Sequence, residues 1–286
     1  GTVSLDILLS GKEAVKKALE VEKEKGAEII IADAVSLEDV SLLAEAVYSL
    51  DWNVLAIDPG PFTAKLAEWN GCATQDRKSA EDQSMADLNG KVLVVAGSAT
   101  PVTKVQMETL LQNEWAVSVP VSADKLIPQN AASVEEVHRA MDKALEKMKT
   151  DDVHVLVLET CLTGERINLT EREKELNLYH GEAADNINRG LGDITKGILS
   201  QTDDVQGIYM TGGDTMVHTL KQLGTKGIQL LDYVIPQADL GTILGGEHEG
   251  LVIVGKGGLT GEQNTAIKIV ERIFAEANKQ EVLNEA

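Results

Sequence analysis

The sequence predicts an α/β fold: a layered, mostly parallel sheet with helices on both faces, arranged in two domains of which the first is incomplete. Strand-like apolar runs alternate with segments of helical periodicity, the pattern of strands joined by crossover helices. Several runs, such as Val92–Ala96, are apolar without interruption, which favours strands covered on both faces. A polar stretch at 71–90 interrupts the alternation and separates the two predicted domains.

The predicted strands are short apolar runs bounded by polar or glycine residues. In chain order they are Glu28–Ala34, Asn53–Ile57, Lys91–Ala96, Ala116–Val121, His154–Glu159, Gly207–Met210, Gln229–Ile235 and Leu251–Val254. Apolar residues at helical spacing predict helices between them. These lie at about 11–25, 37–49, 103–113, 133–149, 181–200, 215–223 and 261–278.

The two predicted domains differ in the number of strands that they contain. Residues 91–286 carry about six strands, enough to bury a core of their own. Residues 1–70 carry two, and two strands seldom form an independently stable sheet. We therefore expect 1–70 to be the C-terminal part of a larger domain and 71–90 to be a linker.

Composition excludes several classes of partner. The formal net charge of −20 repels nucleic acid and anionic membranes, and aromatic residues at 3% are too few for base-stacking surfaces. No apolar run approaches the roughly 18–20 residues that cross a bilayer. The first residues lack a signal peptide's basic start, so we expect a cytoplasmic protein that binds neither nucleic acid nor membranes.

Four glycine-rich segments follow predicted strands, the position at which open α/β sheets bind ligands. Glycine lets the backbone approach a ligand closely, and the start of a helix attracts anions through its free N–H groups. Together the segments favour an anion or nucleotide site, although turns and caps explain any one of them alone. They are VVAGSATPVTKVQ (94–106), YMTGGDTMVHTL (209–220), IPQADLGTILGGEHEG (235–250) and IVGKGGLTGEQNTA (253–266).

Two residues of these segments have alternative explanations. Asp214 and Thr215 either hold a metal ion or cap a helix, and a cap needs no ligand.

The stretch 250–257 nearly matches a P-loop, but it reads as a strand and has Gly257 in place of the Ser or Thr that would ligate Mg²⁺. We therefore reject a P-loop, and Lys256 either neutralises phosphate charge or is solvated.

The ordered motifs VAGSATPVTKVQ, GGDT and GKGGLTGE resemble the C-terminal half of the four-carbon acid sugar kinase family. Two earlier stretches, GAEIIIADAVSLEDVSLLAEAV and LAIDPGPFTAKLAEW, look like the end of that family's N-terminal domain. The resemblance extends over most of the chain, from about residue 3 to 275. The departure from the family is large, because the D-D-x-T-G-type motif of the N-terminal domain does not occur in this chain and the family's N-terminal segment has no counterpart in it.

The resemblance implies an ATP- and Mg²⁺-dependent kinase that phosphorylates a hydroxyl of a small acid sugar such as threonate or erythronate. It assigns 1–70 to the acid-sugar domain, with DPGPFT (58–63) facing the cleft between the domains, and 91–286 to the nucleotide. Without the acidic motif the catalytic base is unknown, and we expect the chain alone to be inactive. Carried over by motif, the nucleotide site consists of Ser98, Gly212, Gly213, Asp214, Thr215 and Gly258, with Gly261 a weaker candidate.

Two other functions are consistent with the same residues. The first alternative to the ATP-binding half of a kinase is a non-catalytic module that binds a nucleotide or phosphosugar. The second is an assembly domain whose glycines serve only turns and caps. The sequence leaves open which acid sugar is used and whether the chain forms a homodimer.

Overall fold

The computed structural model describes residues 1–72, 90–97, 100–160, 162 and 167–285, with side chains as far as 279. The predicted linker and Ser98 lie largely or wholly outside these residues. The chain divides into two compact units, Gly1–Ser79 and Ala80–Ala286. Among the described residues, none of the helices combines the length and the apolar character needed to cross a bilayer.

The first unit is a small helical cluster around a two-stranded parallel sheet. Its core is apolar and includes Leu8, Val15, Leu19 and Ala46. Its elements are β1 (Thr2–Val3), α1 (Leu5–Leu9), α2 (Lys12–Glu24), β2 (Ile31–Ala32), α3 (Leu37–Tyr48) and α4 (Pro61–Trp69). Helix α4 was not predicted, and Asp58 precedes it, accepting hydrogen bonds from the N–H groups of Gly60 and Phe62.

Both strand predictions in the first unit need correction. Glu28–Ala34 forms only the two-residue strand β2, and Asn53–Ile57 forms no strand. Their apolar side chains are instead exposed: Ile31 by 66%, Leu55 by 84% and Ile57 by 85%. An apolar run becomes a buried strand only where neighbouring strands supply hydrogen bonds and cover, and the described part of this unit supplies a single neighbour, β1.

The second unit contains seven strands and seven helices among its described residues. Most predicted helices and strands are present, with ends displaced by a few residues. The elements are β3 (Lys91–Ala96), α5 (Pro101–Leu110), β4 (Ala116–Pro120), α6 (Ala123–Leu126), α7 (Ala131–Met148), β5 (Val155–Glu159), α8 (Leu169–Leu176), α9 (Glu182–Leu199), β6 (Val205–Thr211), α10 (Gly213–Gln222), β7 (Gly227–Ile235), β8 (Ala238–Leu244), β9 (Val252–Lys256) and α11 (Thr265–Glu285).

These strands form one sheet in the order β4-β5-β3-β6-β9-β8-β7. The first five are parallel, and β8 and β7 add an antiparallel edge. Along β3, Leu93 and Val95 face a core shared with α7, α9 and α10, whereas Val92 and Val94 face a core shared with α5 and α11. The predicted fold class, a mostly parallel sheet covered on both faces, is therefore confirmed.

One glycine segment does not lie where the sequence predicts. Gly241 sits inside β8, a strand that the sequence analysis missed, and pairs with Ile253 of β9. A Cβ at Gly241 would come too close to the backbone carbonyl of Gln229, so glycine is required there for strand packing. The segment 235–250 is thus an antiparallel strand with its turns, and does not follow a parallel strand.

Candidate functional site

Three of the four glycine segments meet at the carboxyl edge of the sheet. Strands β3, β6 and β9 are adjacent and parallel, and they end side by side because Ala96 pairs with Thr211 and Thr211 pairs with Lys256. The segments that follow these strands contain Gly97, Gly212 and Gly257. This edge is where open α/β sheets bind their ligands, so the structure brings the predicted segments together in the expected place.

The turn from β6 into α10 exposes the start of a helix. Gly212 has a φ of 104°, a conformation that favours glycine, and its N–H donates to the carbonyl of Lys256 over 2.9 Å. Helix α10 begins at Gly213, where an added Cβ would meet no atom within 4 Å. The N–H groups of the first helical turn have no acceptor within the helix, so they are available to an anion.

Asp214 and Thr215 occupy different surroundings in this first turn. Gly212 is the N-cap residue and α10 has no side-chain cap, so the interpretation of Asp214 as a cap is wrong. The Asp214 side chain is exposed beside the open space at Gly213. The hydroxyl of Thr215 is buried and donates to Oδ1 of Asn188 on α9 over 2.8 Å. Only the backbone N–H of Thr215 therefore remains for a phosphate.

The loop after β9 is held by side chains that bind its carbonyl groups. Thr103 on α5 donates to the carbonyl of Gly258 over 3.1 Å, and Thr100 donates to the same oxygen. Gln106, one turn further along α5, donates from Nε2 to the carbonyls of Thr260 and Glu262 at 3.0 and 2.9 Å. Helix α5 thus fixes the loop that contains the predicted site residue Gly258.

Lys256 binds the same loop from the end of β9. Its Nζ donates to the carbonyls of Gly257 and Thr260 at 2.6 and 3.1 Å, and its side chain is 3% exposed. The expectation that Lys256 is simply solvated is therefore wrong. Burial lowers the pKa of this amine to about 8, because the charged form is poorly hydrated there. The stretch that imitates a P-loop is largely strand β9, which agrees with its rejection.

A cleft of about 240 Å³ opens beside these groups. Three of its walls come from the start of α10, the end of β9 and the start of β8. The lining residues are Gly212, Gly213, Met216, Gln237, Asp239, Gly255, Lys256 and Gly257. A larger hollow of about 570 Å³ lies in the first unit against Tyr48, Trp52 and Leu66, but none of the residues that line it is a glycine, a lysine or an arginine. We therefore place the candidate anion site at the smaller cleft.

Gln237 and Asp239 line the cleft and are candidate site residues that the sequence pattern does not identify. Gln237 immediately precedes β8 and Asp239 is its second residue, and β8 runs antiparallel and so begins at the edge where β9 ends. The carbonyl of Gln237 accepts the N–H of Gly257, and its Oε1 accepts the hydroxyl of Thr260. The available signal was the pair Pro236-Gln237 between two apolar runs, which indicates a hairpin turn.

The acidic side chains near the cleft are consistent with Mg²⁺ carried by a nucleotide. Among the described residues, no three or more His, Cys, Asp or Glu side chains are grouped as a metal cage. Mg²⁺ needs no such cage when phosphates and water fill most of its coordination positions, and one or two carboxylates then suffice. Asp239 lines the cleft and Asp214 is exposed on the adjacent helical turn, so both are candidates.

Comparison with characterised proteins identifies related kinases. The chain is 28% identical over 98% of its length to the D-erythronate kinase of Heliobacterium modesticaldum, covering 61% of that protein. It is 23% identical over 94% of its length to the D-threonate kinase of Salmonella typhimurium, covering 60%. The chain therefore spans about three-fifths of the length of these curated relatives.

Solved structures and a family model complete the comparison. A domain of unknown function from Bordetella bronchiseptica, a domain-swapped dimer with bound citrate, matches with a TM-score of 0.53 and 25% identity over 91% of this chain and 57% of its own. A Haemophilus influenzae protein shares the fold, with a TM-score of 0.60 and 17% identity over 94% of this chain and 59% of its own. The model of the nucleotide-binding C-terminal domain matches residues 93–266. The chain therefore belongs to the four-carbon acid sugar kinase family, whose nucleotide-binding C-terminal domain it contains.

Proposed function

We propose that this chain carries the ATP-binding half of a kinase that phosphorylates a hydroxyl of a small four-carbon acid sugar. The observation that carries the proposal is one cleft on the carboxyl edge of the sheet, lined by Gly212 and Gly213 after β6 and by Gly257 beside the buried Lys256 at the end of β9. The names of the relatives, D-erythronate kinase and D-threonate kinase, support the substrate class.

Phosphoryl transfer depends chiefly on positioning and on neutralising charge. In this proposal the backbone at Gly212 and Gly213 binds the phosphates, and Gly258 approaches the nucleotide from the neighbouring loop. Ser98, which lies outside the described residues, is proposed as a nucleotide contact on its motif alone. Asp214 holds Mg²⁺, which neutralises phosphate charge when it is bound. Because its hydroxyl is engaged by Asn188, Thr215 contributes its backbone N–H.

The acid-sugar site is proposed to need more than the first unit. Relatives are longer than this chain, and Ile31, Leu55 and Ile57 expose apolar side chains of the kind that bury in a complete α/β domain. We propose that 1–70 is the C-terminal part of that domain, that 71–90 is a linker, and that 91–286 binds the nucleotide. The catalytic base then lies outside this chain, which alone turns over little or no substrate.

Assembly and location follow from the same comparison and from the sequence. Because the related Bordetella domain is a domain-swapped dimer, we propose that this chain also forms a homodimer, which light scattering after size exclusion would test. A mass that stays at that of one chain across the accessible concentrations would contradict it. We further propose a cytoplasmic location and no nucleic-acid or membrane partner, in keeping with the net charge of −20.

Nucleotide binding is tested by thermal unfolding with Mg-ATP, Mg-ADP and Mg-GTP. Ligand at 100 times its dissociation constant should add about 2.7 kcal/mol to the free energy of unfolding. Gly213→Val places a side chain in the open space at the cleft and should abolish the shift while leaving the fold intact. The matched control is Gly227→Val, because Gly227 lies in the edge strand β7 with only one atom within 4 Å of an added Cβ.

Both results bear directly on the proposal. An adenine-selective shift that disappears only in Gly213→Val would support the site, whereas no shift with any nucleotide would contradict it. Turnover of D-erythronate and D-threonate should appear only when the unmatched N-terminal part of a relative is added. Nucleotide binding with no turnover under that condition would indicate a non-catalytic binding module instead.

A further inference from the structure

We infer that Gln106 is a positioning residue that sets the affinity of the cleft for phosphate groups by fixing the peptide groups of the loop 257–263. This inference rests on the proposed function, because it concerns the same nucleotide site. Gln106 lies on α5 and does not line the cleft. Its effect on a ligand is therefore exerted through the loop.

The inference begins with the carbonyl groups of the loop. Four of them are bound by side chains: those of Gly257, Gly258, Thr260 and Glu262. The side chains are those of Thr103 and Gln106 on α5 and of Lys256 at the end of β9, and all three are buried. The negative ends of these peptide groups therefore point toward the protein interior.

The orientation of the N–H groups follows from peptide geometry. In a planar trans peptide the carbonyl of one residue and the N–H of the next point in opposite directions, and the described chain has no cis peptide bond. The N–H groups of Gly258, Leu259, Gly261 and Gln263 therefore point outward, and none is a donor in the hydrogen bonds of the described residues. Successive outward N–H groups can form an anion-binding concavity, and this loop begins at Gly257, which lines the cleft.

Gln106 binds two loop carbonyls, whereas Thr103 on the same helix binds one. The Gln106 side chain is fully buried, and its one amide nitrogen binds two loop carbonyls, those of Thr260 and Glu262. Its Oε1 is buried and has no partner among the described residues. Reversing the amide would place that oxygen against both carbonyl oxygens, so only one orientation is compatible with the loop.

The same geometry explains why the sequence gives no sign of this role. Gln106 is more than 150 residues from the carbonyls that it binds and stands in the second turn of an ordinary helix. Glutamine is a good helix former, so its presence in a helix does not indicate a function. Its function becomes visible only when α5 and the loop after β9 are packed together.

The test compares Gln106→Met with wild type, using inorganic tripolyphosphate, Mg-ATP and adenosine as probes. Methionine conserves volume but donates no hydrogen bond, so the loop carbonyls are freed without opening a cavity. Affinity for tripolyphosphate and Mg-ATP should fall about tenfold or more, whereas adenosine binding, measured by ligand-observed NMR, should be unchanged. The matched control is Gln112→Met, since Gln112 is an exposed glutamine just beyond α5.

Each result has one meaning. Loss confined to the two phosphate-bearing probes supports the positioning role. Equal affinity in Gln106→Met and wild type, or an equal loss for adenosine, overturns it while leaving the proposed function intact. A wild-type chain that binds none of the probes overturns both. If Gln106→Met does not fold, Thr103→Val is measured in the same way, because it removes one of the two hydroxyl donors to the Gly258 carbonyl and so loosens the same loop.

Discussion

The hydroxyl of Thr215 donates a hydrogen bond to Oδ1 of Asn188 over 2.8 Å, and both side chains are buried. This bond joins the first turn of α10 to α9 directly behind the end of β3. The hydroxyl that the sequence places beside a phosphate or a metal ion therefore already has a partner. It stabilises the floor of the site, while the backbone of the same turn faces the cleft.

Thr215→Val should lower stability more than it lowers nucleotide affinity. Valine has the same shape but leaves the buried Asn188 oxygen unpaired, at a cost of about 1–3 kcal/mol. Urea unfolding of the variant and of Thr215→Ser, which keeps the hydroxyl, would measure this difference. Unchanged stability in Thr215→Val would contradict this structural role. A selective loss of Mg-ATP binding with stability intact would indicate that the hydroxyl contacts the ligand instead.

Gly97→Ala should be destabilising because its surroundings leave no space for a side chain. A Cβ at Gly97 would overlap Oγ1 of Thr215 and approach Oδ1 of Asn188 at 2.9 Å. Crowding of this kind costs about 1–3 kcal/mol. In a double-mutant cycle, Thr215→Ala should relieve part of the cost, so the two changes should be non-additive. Strict additivity of the unfolding free energies would show that the two positions are not in contact.

Stability should depend on pH through Lys256 in a defined window. The unfolded lysine binds its proton below about 10.5, whereas the folded one does so only below about 8, because burial disfavours its charge. Between these values the unfolded state binds more protons, so the contribution of Lys256 to stability rises with pH from 8 to 10.5. Below pH 8 its cost is fully present.

Denaturant titrations across this range, compared with Lys256→Met, would isolate that contribution. The wild-type chain should gain stability relative to the variant as pH rises through the window. The exposed Lys221→Met serves as the control and should run parallel to wild type. Parallel curves for Lys256→Met and wild type would show that the amine is not perturbed by burial.

Binding of a phosphate-bearing ligand should take up a proton at pH 8. An anion in the cleft raises the pKa of the neighbouring Lys256 amine, which is about half protonated at that pH when the site is empty. Uptake should be about half a proton per ligand. Calorimetric titration with Mg-ATP in two buffers of different ionisation enthalpy would measure it, and equal heats in both buffers would contradict the prediction.

Asp239 and Asp214 place negative charge near a phosphate ligand bound in the cleft. Asp239 lines the same cleft as Lys256, and Asp214 stands on the adjoining helical turn. Asp239→Asn should therefore strengthen binding of a metal-free phosphate ligand, because it removes a negative charge from the cleft wall. Weaker binding of metal-free tripolyphosphate in that variant would contradict this arrangement.

The sequence predicts the centre of the sheet better than its edges. Strand β3 is an unbroken apolar run and is found where predicted, because a strand buried on both faces leaves that pattern. Strand β8 was missed because Gly241 interrupts its apolar pattern, and that glycine is explained only by the close approach of the Gln229 backbone. The run Asn53–Ile57 was wrongly predicted as a strand, because an apolar pattern does not show whether a partner strand is present.

The glycines of the candidate site can be predicted from the sequence. Its other lining residues cannot, because their residue types are common throughout the chain. The adjacent glycines Gly212 and Gly213 indicate a backbone turn in the sequence, and both line the cleft. Gln237 and Asp239 depend on β8 running antiparallel, which sequence patterns do not reveal. Thr215 shows the remaining limit, since its residue type fits a phosphate, a metal ion or a buried neighbour, and only packing distinguishes these.

The bonds from α5 to the loop after β9 have a consequence for synthesis on the ribosome. They join segments more than 150 residues apart in the chain, Thr100 with Gly258 and Gln106 with Thr260. A nascent chain that has released α5 still lacks α10, β8 and β9, so the cleft is incomplete until Gly257 has emerged. Nucleotide therefore cannot assist the early stages of folding and can only stabilise the finished domain.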